Sequence, residues 1–309
     1  MELFNRDSNI NFLGHRKIAA IFSALLIVGS ILLLVINGLN FGVDFTGGTI
    51  VELRYDNPVN LEEVRNVLND SEFEGAVVQN YGSANEVLIR LAPIDELDSS
   101  DISTEVTRLL GVSQDNIMRI EFVGAQVGEE LTESGGLAML FALFGILVYV
   151  AIRFQTRFSL GAIAALIHDI IVTVGFFALT QIDFDLSVLA AILAVIGYSL
   201  NDTIVVFDRI RENFKRLRNA TPFEVCNISI NQTMSRTIIT GLTTLLVLSA
   251  LFFLGGETIH GFSIALIVGV IVGTYSSIYV ASPVTLALGI SRQDLMPVEK
   301  EGEGLPDRP

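Results

Sequence analysis

The sequence predicts a polytopic α-helical membrane protein of six spans, with an extracytoplasmic ferredoxin-like α+β domain between the first two. Three observations lead there. Hydrophobic residues make up 51% of the chain and charged ones only 17%, a balance outside that of soluble globular domains. The apolar residues gather in six runs, Ile18–Ile36, Gly135–Ile152, Phe158–Leu179, Leu186–Val206, Thr237–Leu254 and Phe262–Leu288. Each is long enough to cross a bilayer as a helix. The one long polar interval, Asn37–Thr132, alternates strand-like and helix-like periods.

The first run follows His15-Arg16-Lys17, as a signal peptide would. It is too long for a typical signal core and lacks a small-x-small exit, so an uncleaved first helix is expected. Next comes Asp44-Phe45-Thr46-Gly47-Gly48. The glycines precede a strand rather than a helix, which favours a tight turn over a phosphate loop. Thr49–Tyr55 sets Val51, Leu53 and Tyr55 against Ile50, Glu52 and Arg54, a strand with one buried face. Asn60 with Glu63 opens a helix in the manner of a capping box. Ala76–Tyr81 and Glu86–Leu91 are short strands around Gly82-Ser83, Glu96–Leu110 is a second helix, and Ile117–Val123 closes the set. The order βαββαβ is the ferredoxin-like split pattern, which hosts many functions.

Beyond it, spans two to six occupy residues 133–290, with a cytoplasmic loop at 207–236. In that loop Thr221-Pro222-Phe223-Glu224 forms a helix start, and Phe223, Cys226, Ile230 and Met234 give the helix an apolar stripe. Such a helix either lies on the membrane surface or packs as a connector. The stretch 291–309 is rich in Gly, Pro and Glu and is expected to be a disordered tail. Domain boundaries are thus expected at 1–36, 37–132, 133–290 and 291–309. Arg6, Arg16, Lys17, Arg153, Arg157 and a basic cluster from Arg209 to Arg236 lie on one side, while the loops Thr180–Asp185 and Gly255–Gly261 contain no Lys or Arg. By the positive-inside rule both termini are cytoplasmic and the polar interval is outside.

The net charge of -15 arises mainly in that outer interval, which is expected to be a solvated acidic surface, with a site for a cation or cationic partner as the alternative. Without a basic patch, nucleic acid is excluded as a partner. The single cysteine, Cys226, excludes an internal disulfide. No P-loop, H-E-x-x-H or G-x-S-x-G occurs, so neither an enzyme nor a cofactor is expected.

The unusual feature is charge inside the spans. Asn201 and Asp202 interrupt the fourth run, with Tyr198 on the same helical face. An acid in a span costs about 2.5–3.5 kcal/mol on insertion scales and points to function. Arg236 opens the fifth span at similar depth. It is either an anchor at the membrane surface or a partner that turns inward to Asp202. His168-Asp169 in the third span is either a packing contact or part of a proton relay. Gly269, Gly273, Ser277 and Ala281 recur every four residues in the sixth span, the stripe of close helix packing.

Seven stretches go further. They are Phe41–Gly48 (FGVDFTGG), Arg119–Gly124 (RIEFVG), His168-Asp169, Val195–Asp202 (VIGYSLND), Val205–Asn213 (VVFDRIREN), Ser235-Arg236-Thr237 and Tyr275–Ser282 (YSSIYVAS). In content, order and spacing the chain resembles the SecD/SecF family of protein-export membrane proteins, within the resistance-nodulation-division superfamily. The resemblance implies a half with six spans and an outer ferredoxin-like domain, with SecD as the partner half. It implies work beside the SecYEG translocon and its SecA motor, with YidC or YajC as further neighbours, on unfolded preprotein and in contact with lipid. It also implies use of a proton or sodium gradient for late export steps, with Asp202 as the coupling carboxylate and Arg236 as its basic companion. A helix movement that exchanged an apolar surrounding of Asp202 for an Arg-lined one would bind a proton on one side and release it on the other. Two competing readings are a structural clamp without ion coupling and a small-molecule exporter of the same superfamily. The outer interval is small for the porter domains of such exporters. An intramembrane aspartyl protease is disfavoured by the sequence context of Asp169 and Asp202.

Overall fold

The computed structural model describes residues 10–93, 99–256 and 259–291. A short 3-10 turn leads into α1 (Arg16–Ile36). The chain then makes the one-turn helix α2 (Val43–Thr46) and passes through Gly47 and Gly48 at φ +69° and +127°. A Cβ on Gly48 would lie 2.3 Å from the Leu91 carbonyl, so this turn admits only glycine. The α/β domain follows as β1 (Gly48–Arg54), α3 (Leu61–Asn69), β2 (Val77–Tyr81), β3 (Ser83–Leu91), α4 (Ser99–Leu110) and β4 (Ile117–Val123). The expected start of α4 at Glu96 lies outside the described residues. The sheet order β2-β3-β1-β4, antiparallel throughout, is the ferredoxin-like arrangement. Asn60 caps α3 by accepting from the Glu62 amide.

Alternation along the strands decides what each face meets. Val51, Leu53, Ile89 and Leu91 are buried with Leu68 of α3 and Ile102 and Val106 of α4. The opposite face carries Glu52, Leu88, Arg90, Arg119 and Glu121. It looks across a cavity of about 470 Å³ at the connection between the third and fourth spans.

The remaining spans are α5 (Ala125–Arg153), α6 (Thr156–Thr180), α7 (Leu186–Arg216), α8 (Pro222–Leu254) and a compound last span. That span consists of α9 (His260–Ser276), a π-helical turn (Ser277–Ala281) and α10 (Ser282–Ala287). With α1 they make six helices long and apolar enough to cross a membrane. α6, α7 and α9 form the inner layer, while α1, α5 and α8 are largely uncovered on their outer faces. The cluster around Phe158, Phe207, Ile192, Ile196 and Ile210 is the core of this unit.

Between α7 and α8 only residues 217–221 are non-helical. The amphipathic stretch from Phe223 to Met234 is therefore the first part of α8 rather than a separate surface helix, with Cys226 and Ile230 fully buried. Thr221 and Glu224 form the expected capping box. This end also holds the N-terminal segment, where the Asn227 and Asn231 side chains accept from the Leu13 and Ile10 amides. The expected tail lies, beyond Ser291, outside the described residues.

The domain is fastened to more than its two covalent links. Arg90 of β3 forms an ion pair with Asp183 between α6 and α7. It also donates to the Asn40 side chain at 3.3 Å and the Phe41 carbonyl at 3.2 Å. The Asn40 amide donates to Asp183 at 2.7 Å. Backbone bonds from Phe184 to Asn40 and from Gly42 to Phe184, at 2.8 and 2.9 Å, complete this junction.

Candidate functional site

Two buried carboxylates lie among the inner helices. Asp202 on α7 is 8% exposed and Asp169 on α6 is 1% exposed. Neither is paired with Arg or Lys among the described residues. Each is held instead by hydroxyls from other helices.

Asp202 Oδ1 accepts from Thr237 of α8 at 2.6 Å, and Oδ2 accepts from Ser277 of the π turn at 2.7 Å. Arg236, one residue before Thr237, is exposed. Consecutive helical residues point about 100° apart, so the residue that hydrogen-bonds across to α7 is Thr237, while Arg236 makes no ion pair with Asp202 among the described residues and reaches it only through its charge. Asn201 is exposed beside Asp202, while Tyr198 is half-buried against Gly241 of α8.

Asp169 Oδ1 meets His168 Nδ1 at 2.9 Å. Its Oδ2 accepts from Ser276 at 2.7 Å and from Ser199 of α7. His168 Nε2 is buried and has no partner among the described residues. The His168 ring lies 6.0 Å from that of Tyr275, whose hydroxyl bonds to Ser23 and to the Ala19 carbonyl of α1.

The glycine stripe explains how hydroxyls reach both acids. A Cβ on Gly269 would lie 2.1 Å from Val195, and one on Gly273 would lie 2.9 Å from the Ser199 Cβ. Only glycine permits this approach of α9 to α7. Ser277, next on the stripe, then arrives at Asp202, and Ala281 follows fully buried. The third span has close contacts of its own, Gly175 against Ser30 of α1 and Gly161 against Thr285 of α10.

At the domain end, Asp44 does more than shape a turn. Its Oδ2 accepts from the Leu186 amide at 3.0 Å, and Asp185 accepts from the Val188 amide at 2.8 Å. Two carboxylates therefore cap the N-terminus of the helix that carries Asp202. Gly47 sits under Gly128 of α5, where a Cβ would lie 2.8 Å from the Gly47 nitrogen.

Sequence reasoning did not single out Thr237, Ser199 or Ser276 as partners of the acids, nor Arg90 and Asp183 as a junction. The available signal was a run of hydroxyl residues at the depth of each acid, on the neighbouring spans.

Comparison with known proteins gives concordant results. Residues 103–291 match the family described as protein export membrane protein SecD/SecF, C-terminal, and residues 32–59 match the SecD/SecF GG motif. The chain is 49% identical over 316 residues to the protein translocase subunit SecF of Vibrio alginolyticus, covering 100% of this chain and 99% of that one. It is 49% identical over 300 residues to the SecF subunit of Pseudomonas aeruginosa, covering 97% and 98%. Among solved structures it is similar to SecDF, a translocon-associated membrane protein from Thermus thermophilus. The TM-score is 0.83 and the identity 39% over 93% of this chain, which spans 39% of the SecDF chain. By full-length identity and by these matched segments, the chain belongs to the SecD/SecF family of protein-export membrane proteins, among the SecF translocase subunits.

Proposed function

We propose that the chain works with a SecD half as a gradient-driven auxiliary of the Sec translocase, promoting late steps of preprotein export across the cytoplasmic membrane. The carrying observation is Asp202, a buried carboxylate within a span whose two oxygens face hydroxyls of two other helices. A hydroxyl can donate to a carboxylate or accept from a carboxylic acid, so Thr237 and Ser277 suit both states of Asp202. A turn of α8 by one residue's angle, about 100°, would bring Arg236 where Thr237 stands and set a permanent charge against the carboxylate. Alternation between these partners is the proposed ion cycle. Tyr198 and Asn201 line the route on α7, and His168 and Asp169 form a second relay point.

The α/β domain is the proposed handle on the exported chain. It contains neither His nor Cys between Asn37 and Thr132, and its edge strand β4 exposes Met118 and Phe122. Strand addition at such an edge suits an extended polypeptide without demanding a sequence. SecYEG and SecA stand as the neighbours on this reading, with both termini cytoplasmic.

Asp202→Asn tests the reading. It should abolish gradient-dependent stimulation of export in reconstituted vesicles while insertion and pairing with SecD persist. Full stimulation by the variant would refute ion coupling at this residue and leave the clamp reading in its place.

A further inference from the structure

We infer that Ser276 and Ser277, consecutive residues at the entry to the π turn, tie Asp169 and Asp202 to one backbone segment by a hydrogen bond each, so that each acid responds to the state of the other. This rests on the ion-coupling role of Asp202 proposed above, and it assigns a positioning role to two serines and a hinge to the last span.

The geometry is specific. Ser276 Oγ reaches Asp169 Oδ2 at 2.7 Å, and Ser277 Oγ reaches Asp202 Oδ2 at 2.7 Å. A single peptide bond of the last span thus separates the partners of the two acids. The same pairing recurs on α7, where Ser199 bonds Asp169 and Asp202 follows three residues later, about 4.5 Å along the axis. Any shift of the last span relative to α7 therefore acts on both carboxylates at once.

The backbone at this point is built for such a shift. The π turn begins at Ser277, and π turns inside α-helices collect at functional sites. Pro283 has no N–H to return to the preceding turn, which breaks the regular ladder. Ser282 Oγ donates to the Ser277 carbonyl at 3.0 Å and so satisfies a carbonyl of the displaced turn. Gly269 and Gly273 keep the helix above the turn smooth against Val195 and Ser199. His168 Nε2, buried and without a partner among the described residues, is a further hydrogen-bonding group on the Asp169 side. The titratable and charged groups on the surrounding elements are His168 on α6, Tyr198 on α7, Arg236 on α8, and Tyr275 and Tyr279 on the last span. α1 adds the Ser23 hydroxyl, through Tyr275.

The test is an infrared titration of the carboxylic C=O band of Asp169 in membranes that hold the full complex, alongside gradient-stimulated export. With both serines present, Asp202→Asn should move the Asp169 titration midpoint by about one pH unit. With Ser276→Ala and Ser277→Ala in place, Asp202→Asn should leave the midpoint where it was. Ser277→Thr, which keeps the hydroxyl, should restore the shift. Ser276→Ala alone, which removes a bond to Asp169 and none to Asp202, should shift the pH profile of export stimulation. An Asp169 midpoint indifferent to Asp202→Asn, or a shift that survives loss of both hydroxyls, would overturn the inference. If Asp202→Asn leaves export stimulation intact while the infrared coupling is present, the ion-coupling reading fails and the coupling through the two serines stands.

Discussion

Breaking the Arg90–Asp183 pair is expected to loosen the α/β domain from the membrane unit without unfolding either. The Arg90 side chain is 10% exposed and that of Asp183 30%, so solvent screens the pair only in part. Hydrogen bonds to a charged partner contribute about 1.5–3 kcal/mol, and a coupling of about 2 kcal/mol is expected here. The two truncations are not equivalent. Arg90→Ala leaves Asp183 with the Asn40 amide at 2.7 Å. Asp183→Ala leaves a nearly buried guanidinium with only the Asn40 and Phe41 oxygens at 3.3 and 3.2 Å, and its Nε is already unpartnered among the described residues. Asp183→Ala should therefore cost more, because an uncompensated buried charge remains. The assay is hydrogen exchange at the Gly42 and Phe184 amides, which bond across the junction. Their protection should fall by about 30-fold in Arg90→Ala, the equivalent of about 2 kcal/mol, and further than that in Asp183→Ala. Amides of the β1–β3 ladder should keep their protection. In the double variant the losses should fall short of the sum by the coupling energy. Additivity within about 0.3–0.5 kcal/mol would show that the pair is no junction, as would loss of protection spread evenly through the sheet.

Arg236→Lys should retain part of the gradient-stimulated export and Arg236→Ala almost none, since Lys keeps the charge but loses the planar fork; equal activities in vesicle assays would count against a charge role. Gly175→Ala should destabilise the membrane unit by about 1–3 kcal/mol in thermal unfolding, by overpacking. Its Cβ would stand 2.2 Å from the Ser30 Cβ and 2.8 Å from the Ser30 Cα, whereas Gly29→Ala, with nothing within 4 Å, serves as the neutral control. Replacing the domain from Gly48 to Val123 by a short linker should spare insertion of the six spans and abolish export stimulation, and wild-type export from that variant would place the substrate contact elsewhere.

The sequence by itself determined what depends on local period and on single residues out of place. Six apolar runs set the spans, because no other backbone arrangement than helix satisfies its polar groups in so short an apolar stretch. The alternation of Val51 and Leu53 with Glu52 set the strand and its faces, and Thr221 with Glu224 set the start of α8. Asp202 announced itself by its cost. Tertiary structure alone decided who meets that acid. Depth along a helix is legible from residue counts, but the angle around the helix depends on which neighbour packs where. Arg236 and Thr237 are equal in depth, and packing on α7 brought the hydroxyl to Asp202 and left the guanidinium exposed. Ser277 reads in sequence as one small residue of a packing stripe; the glycines before it bring it close enough to donate a hydrogen bond. Asp44 reads as part of a turn, yet it caps a helix that begins 142 residues later, and Arg90 finds Asp183 across 93 residues of chain. Neutral hydroxyls and single surface charges leave no periodic trace, so their partners exist only once the helices and the sheet have closed on one another.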